Sequence, residues 1–173
     1  DCGVNNIVFT WNEYRQDGAA TIMRALDQAQ KYGMTYFVRD NAAIYWSAEN
    51  SQQFVGDKTL AEIIAPYINH PACAGIFGRD EPGGSEMSMY GRLAKGFYEL
   101  GYEGKDVYMN LLPNYAGPSV LAPYSSYEAY VRGYLEECSS VPYLSYDFYP
   151  FTSLSSMNLD KLGSGGAANY FSN

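Results

Sequence analysis

Short apolar runs, too brief for a helix, alternate along this chain with longer stretches whose apolar residues recur at helical spacing. The runs are Ile7-Val8-Phe9-Thr10, Met34-Thr35-Tyr36-Phe37-Val38, Ala74 to Asp80, Asp106 to Tyr115 and Tyr143 to Pro150. Strict strand-helix alternation predicts a parallel sheet with right-handed crossovers. Two architectures satisfy it: an open doubly wound sheet, or part of a (β/α)8 barrel. No Gly-x-Gly-x-x-Gly and no phosphate-binding glycine loop follows any strand, which removes weight from the nucleotide-binding versions. A complete barrel needs about 250 residues, and this chain has 173. Cys2-Gly3-Val4-Asn5 reads as the tail of a helix, and Asn169 to Asn173 as the start of another. The expectation is an α/β fold, one domain over 1–173, forming a partial (β/α)8 barrel of about five βα units with parallel strands.

The helical stretches carry their own punctuation. From Gly18 to Tyr32, Ile22, Ala25, Leu26 and Ala29 fall on one face, and Gly33 stands where a terminating glycine belongs. Ala42 to Gly56 reads as a long connection. Thr59-Leu60-Ala61-Glu62 has capping-box spacing, with Ile63, Ile64, Tyr67 and Ile68 on one face and Pro66 forcing a kink or an early end. Ser85 is the expected cap of a helix reaching Leu100 and stopped by Gly101. Ser126 is the expected cap of another, with Tyr127, Tyr130, Val131, Tyr134, Leu135 and Cys138 on its face.

Composition removes several classes of function. Hydrophobic residues make up 47% of the chain, so a packed core is affordable and disorder is not the default. A formal charge of -8 argues against nucleic acid, whose phosphates need clustered Lys and Arg. No apolar run reaches membrane-spanning length, and no signal peptide is visible. Cys2, Cys73 and Cys138 make neither a disulfide framework nor a zinc pattern. His70 stands alone, which disfavours zinc or iron sites and leaves a Ser-His-Asp triad one candidate base; at a helix end it is expected to cap carbonyls. No cofactor or metal is expected. The 18 tyrosines are the unusual count, since flat faces with polar tips suit sugar rings.

Chemistry concentrates where the third run ends, at Arg79-Asp80-Glu81-Pro82-Gly83-Gly84. Ligands bind at the carboxyl ends of strands in α/β folds. Neighbouring strand residues face opposite ways, so Asp80 and Glu81 share a direction only if the strand has ended. Pro82 biases Glu81 toward extended backbone. The alternative is that both acids merely cap the next helix. The other strand ends supply Trp11, Asn12, Glu13, Arg39, Asp40, Asn110, Asn114, Tyr115 and Tyr149 as candidate substrate contacts, and Asp147 as a further acid. An acid in an aromatic strand end is costly without a partner, which marks Asp147 as the one in-chain candidate for a second catalytic carboxylate.

With the strands placed, the chain resembles the clan A glycoside hydrolases, retaining enzymes on TIM barrels. Their fourth strand ends in an Asn-Glu-Pro-like motif whose Glu is the general acid/base; here the tripeptide is Asp80-Glu81-Pro82. Cys2-Gly3-Val4-Asn5-Asn6-Ile7 resembles their helix-to-strand-two junction. Counting from there makes Ala74 to Asp80 strand four and gives the chain strands two to six. The chain is also similar to glycoside hydrolases of gut bacteria in which Asp-Glu-Pro and a later Tyr-x-Asp-x-Tyr-Pro recur; the part matched here is Asp147-Phe148-Tyr149-Pro150, with Ser145 at the first Tyr. The resemblance implies a carbohydrate substrate, Glu81 as acid/base, Asp80 as a substrate or orienting group, and an extracellular or periplasmic location. Asp80 replaces the clan's Asn, so it can accept but not donate a hydrogen bond to the sugar. The clan's nucleophile belongs to strand seven, which by this count lies past Asn173. In an inverting scheme Asp147 takes the second place.

Two rivals remain. One is a non-catalytic carbohydrate-binding barrel that keeps its rim aromatics. The other is an open α/β domain using Asp80, Glu81 and Asp147 to hold magnesium for phosphotransfer. A partial barrel leaves open sheet edges, which predicts a homodimer or a further C-terminal segment completing the barrel.

Overall fold

A computed structural model describes residues 4–8 and 18–147. Its centre is a four-stranded parallel sheet: β1 (Asn6–Ile7), β2 (Thr35–Val38), β3 (Cys73–Asp80) and β4 (Asp106–Asn110), in the order β1-β2-β3-β4. Strictly sequential order contains no reversal, the feature at which doubly wound sheets bind ligands. Five strands were expected, and the described residues hold four. In place of the fifth is one parallel bridge, Leu111 to Tyr146, on the free side of β4. The rest of the expected last strand, from residue 148 onward, lies outside the described residues, as does the helix start expected at 169–173; of the helix tail expected at 2–5, Val4 and Asn5 are described and are not helical.

Between the strands lie α1 (Ala19–Lys31), α2 (Asn41–Trp46), α3 (Gln52–Val55), α4 (Leu60–Ile64) and α5 (Met87–Glu99), and after β4 come α6 (Pro118–Leu121) and α7 (Tyr127–Glu137). In α1 the spacing of Ile22, Leu26 and Ala29 puts all three in the core. Gly33, at φ +67°, closes it: the Gly33 N–H donates to Gln30 at 3.0 Å and the Met34 N–H to Ala29 at 2.9 Å. These paired bonds satisfy the carbonyls a helix end leaves bare. The Thr59–Glu62 capping box forms at α4, and the helix ends before Pro66. Hydrogen bonds to the ionised Glu62 lower its pKa, so the box strengthens above the ordinary glutamate range and weakens as pH falls.

Four local expectations are corrected. The presumed connection 42–56 contains α2 and α3, helices too short to show a periodic apolar face. Ser85 caps nothing: a 3-10 turn, Gly84–Glu86, precedes α5, and it is the Glu86 carboxylate that accepts from the Gly83 N–H at 2.8 Å. Leu135 is 55% exposed, whereas Tyr130, Tyr134 and Cys138 of the same face are buried. Ser126 does cap α7, accepting from the Ala129 N–H at 3.1 Å. We expect Ser126→Ala to cost about 1 kcal/mol, read as a lower urea midpoint. His70 ties a turn rather than capping carbonyls; its Nδ1 accepts from the Ala72 N–H at 3.1 Å and its Nε2 meets Asp27 at 3.2 Å.

The helices cover one face of the sheet. Val38, Ile76, Val107, Met109 and Leu111 share a core with Leu26, Ile64, Leu93, Phe97 and Tyr134. Alternation turns the intervening residues to the opposite face. There Tyr108 is the centre of an aromatic row, its ring 5.4 Å from Phe37, 5.8 Å from Phe77 and 6.2 Å from Tyr143.

β3 is irregular twice. Its pairing with β2 skips Ala74, and its pairing with β4 runs Phe77 to Tyr108 and then Arg79 to Met109, leaving Gly78 extra. Such a bulge reverses the facing of everything after it. In a regular strand Arg79 would share the face of Phe77; here Asp80 does, directly beside Asn110.

Candidate active site

The bulge assembles the site. Asp80 ends β3, Asn110 ends β4, and Asp147 follows the bridge at Tyr146, so three strand ends meet at one rim of the sheet. Asp147 is fixed by its own backbone: its N–H donates to Leu111 at 3.0 Å, and the Leu111 N–H donates to Ser145 at 2.9 Å. Asn110 is the hub. Its Nδ2 donates to Asp80 at 3.3 Å and also to Asp147, and its Oδ1 accepts from the Ser145 hydroxyl at 2.8 Å. The Ser145 hydroxyl in turn meets the Tyr108 hydroxyl at 3.0 Å.

Glu81 stands just past the strand, with φ +50°. The extended backbone expected before a proline is therefore not what forms. A left-handed non-glycine residue costs about 1–3 kcal/mol and persists only where its surroundings determine it. Here they do. The Glu81 N–H donates to the Asn110 carbonyl at 2.7 Å, and the buried Tyr130 hydroxyl donates to the Pro82 carbonyl at 2.7 Å. Neither Asp80 nor Glu81 caps the turn that leads into α5; the Gly83 N–H at its start is taken by the Glu86 carboxylate.

The Glu81 carboxyl is hydrogen-bonded to Asp147 and its pKa is raised. Loss of hydration is the first cause, then the Asp147 hydrogen bond, then the charges of Asp147 and Asp80. The residue is exposed overall. Two carboxyl groups can hydrogen-bond each other only if one carries a proton. Tyr115, 48% exposed, feels both acids: its phenol is raised by lost hydration and then by the charges of Asp147 and Glu81. Tyr127 is pushed up to about 12 by burial, with smaller contributions from Tyr146 and Asp147.

The structure thus brings together Asp80, Glu81, Asn110, Tyr115 and Asp147. Asn114 is exposed in the same loop as Tyr115. Arg39 is 8% exposed at the end of β2, its guanidinium 5.8 Å over the Phe77 ring. Asp40 is occupied otherwise: it caps α2 through the Ala42 N–H at 2.9 Å and accepts from the Tyr67 hydroxyl at 2.9 Å. Burial raises its pKa against the opposing pull of those bonds. Asp40 also lines a cavity of about 350 Å³ between α1 and α4, whose lining contains neither Glu81 nor Asp147. Trp11, Asn12, Glu13 and Tyr149 lie outside the described residues.

Sequence reasoning missed Ser145 and the Tyr130 latch. Ser145 was findable, since it precedes Asp147 by two residues and so shares its face; Tyr130 carried no local signal. Among the described residues no group of three or more His, Cys, Asp or Glu is arranged to hold a metal ion. Compared with family models, with curated proteins and with solved structures, the chain matches none.

Proposed function

We propose that this chain carries the acid/base half of a glycoside hydrolase on a partial (β/α)8 barrel, acting on a carbohydrate with Glu81 as the proton donor. The parallel sheet in sequential order supports the barrel, and the Glu81–Asp147 contact carries the chemistry. A glycosidic oxygen leaves only when protonated, so the donor must still hold its proton near neutral pH. Glu81 has the attributes of such a donor: a raised pKa, a rim position and a backbone held rigidly in an unfavourable conformation. Tyr115 and Asp80 flank it as substrate contacts.

Asp147 takes a different role from the one first considered. Inverting enzymes separate their carboxyl groups by about 6.5–9.5 Å to admit a water, and retaining ones by about 5–5.5 Å. Here Asp147 acts on Glu81 through its hydrogen bond and its charge, both of which raise the Glu81 carboxyl, and in this reading the second carboxylate comes from another segment or another copy of the chain. The extracellular or periplasmic location belongs to the same reading.

Turnover requires protonated Glu81, so the rate falls as pH rises through its raised pKa. Asp147→Asn removes a hydrogen bond and a charge that raise that value, and its expected result is an alkaline limb shifted toward lower pH. A pH–rate profile on a panel of oligosaccharides tests this; an unmoved limb overturns the assignment of Glu81. The exposed Tyr115 beside the acids also favours a second reading, carbohydrate binding without cleavage. Calorimetric binding of an oligosaccharide that stays intact on long incubation is its signature.

A further inference from the structure

The cavity of about 350 Å³ between α1 and α4 has no part in the chemistry proposed for Glu81, yet it is built like a ligand site. Its volume falls within the range of small-molecule sites, about 300–1,000 Å³, and most of its wall is apolar. Burial is graded along that wall. Tyr67 and Ile22 are buried, Asp40 and Ile63 are half-buried, and Phe54 and Lys58 are exposed at the mouth. Phe54 stacks on the exposed Tyr45, their ring centroids 4.6 Å apart. The pair adds neither ring to the core, and it gives the mouth a fixed aromatic side.

The charge on the wall indicates the kind of ligand. The Asp40 carboxylate accepts from the Tyr67 hydroxyl at 2.9 Å, from the Ala42 N–H at 2.9 Å and, with a smaller pull, from the Ala43 N–H. All three donors are neutral, and a carboxylate has about four lone-pair positions. Among the described residues no cation forms an ion pair with Asp40. Lys58, also in the wall, acts on Glu62. A carboxylate withdrawn from water is costly to ionise until a positive charge meets it. We propose that this cavity binds a small organic cation, a primary amine on an apolar body, with its ammonium on Asp40 and its body along Ile22, Ile63 and Phe54. An ammonium brings three donors and the counter-charge that the wall lacks. A neutral alcohol brings a donor without the charge, and an anion meets repulsion. The site is separate from the one assigned to Glu81, so neither reading depends on the other.

The experiment is calorimetric titration of the chain at neutral pH with three probes of similar shape: 2-phenylethylamine, 2-phenylethanol and 3-phenylpropionate. The amine is expected to bind, and the alcohol to bind more weakly by about tenfold or more, the worth of a hydrogen bond to a charged group. The anion is expected not to bind. Amide NMR shifts on adding the amine are expected at Ala19, Ile22, Ala42 and Ile63. Asp40→Asn keeps the shape of the side chain and a good helix cap, and it should bring the amine down to the affinity of the alcohol. Ile63→Trp fills the cavity without altering Asp40 and should abolish binding of both. No binding of the amine, equal affinity for amine and alcohol, or an unchanged amine affinity in either variant overturns the proposal. So do shifts confined to the rim around Asp80 and Asn110, which would mean that the amine goes to those acids instead. If either variant does not fold, as judged by its amide spectrum, the preference for amine over alcohol and the shift map decide.

Discussion

Glu81→Gln is expected to cut hydrolysis of an unactivated glycoside by about 10²–10⁴, the usual contribution of a general acid. Glutamine has the shape of glutamate and can keep the same contact, donating its amide to Asp147. It also occupies the left-handed backbone at the same cost, so the urea midpoint should barely change. What is lost is the transferable proton. The loss should therefore depend on the leaving group. A nitrophenyl glycoside departs without protonation and should be much less affected than a natural disaccharide, while sugar affinity stays near that of the unaltered chain. The measurement is kcat on both substrates in the longest polypeptide that carries this chain. Equal losses on the two would reassign Glu81 to binding; no loss on either would end its role altogether.

The second large effect is structural. Gly75 sits at φ +130°, and a Cβ there would lie 1.9 Å from the Asp106 carbonyl oxygen and 2.6 Å from its nitrogen. Those atoms are backbone, so no side chain can swing aside. Gly75 is also where the β3–β4 pairing begins, and the same ladder ends at Asp80 and Asn110. Gly75→Ala must then widen the two strands where they first meet, besides paying for a conformation that side chains rarely adopt. We expect a loss of about 3 kcal/mol or more, at the severe end for single substitutions. Gly33→Ala is the control: it has the left-handed backbone, φ +67°, but open space around it. It should cost about 1 kcal/mol. Urea unfolding of both variants separates crowding from backbone strain, and equal losses would refute the crowding.

How much of this was legible in the sequence depended on the range of the interactions. Helices with a repeating apolar face, such as α1 and α5, were readable because burial on one side imposes the period. The Thr59–Glu62 box and the Ser126 cap were readable because capping is settled within four residues. α2 and α3 were not, being a turn or so long and held by packing. Asp40 looked like a rim acid because its sequence neighbourhood gives no sign of Tyr67, which meets it from 27 residues away. Asp80, Asn110 and Asp147 were each legible as strand-end residues, and the structure sets the three side by side. The geometry between them was hidden. The local preference of a residue before proline lost to two tertiary hydrogen bonds, from Glu81 to Asn110 and from Tyr130 to Pro82. Gly78 gave no sign that it would drop out of the ladder with β4.

That omitted rung has a wider consequence. Had the two strands stayed in step through Gly78, Arg79 would stand opposite Asn110, and Asp80 would have turned toward the helices. Arg79 instead reaches 4.0 Å to Glu86 on the far side. The same string of amino acids could thus have offered visitors a positive doorway in place of a negative one. Which charge this rim presents is written in the alignment of two backbones, and swapping residues at the entrance would be a poor way to rewrite it.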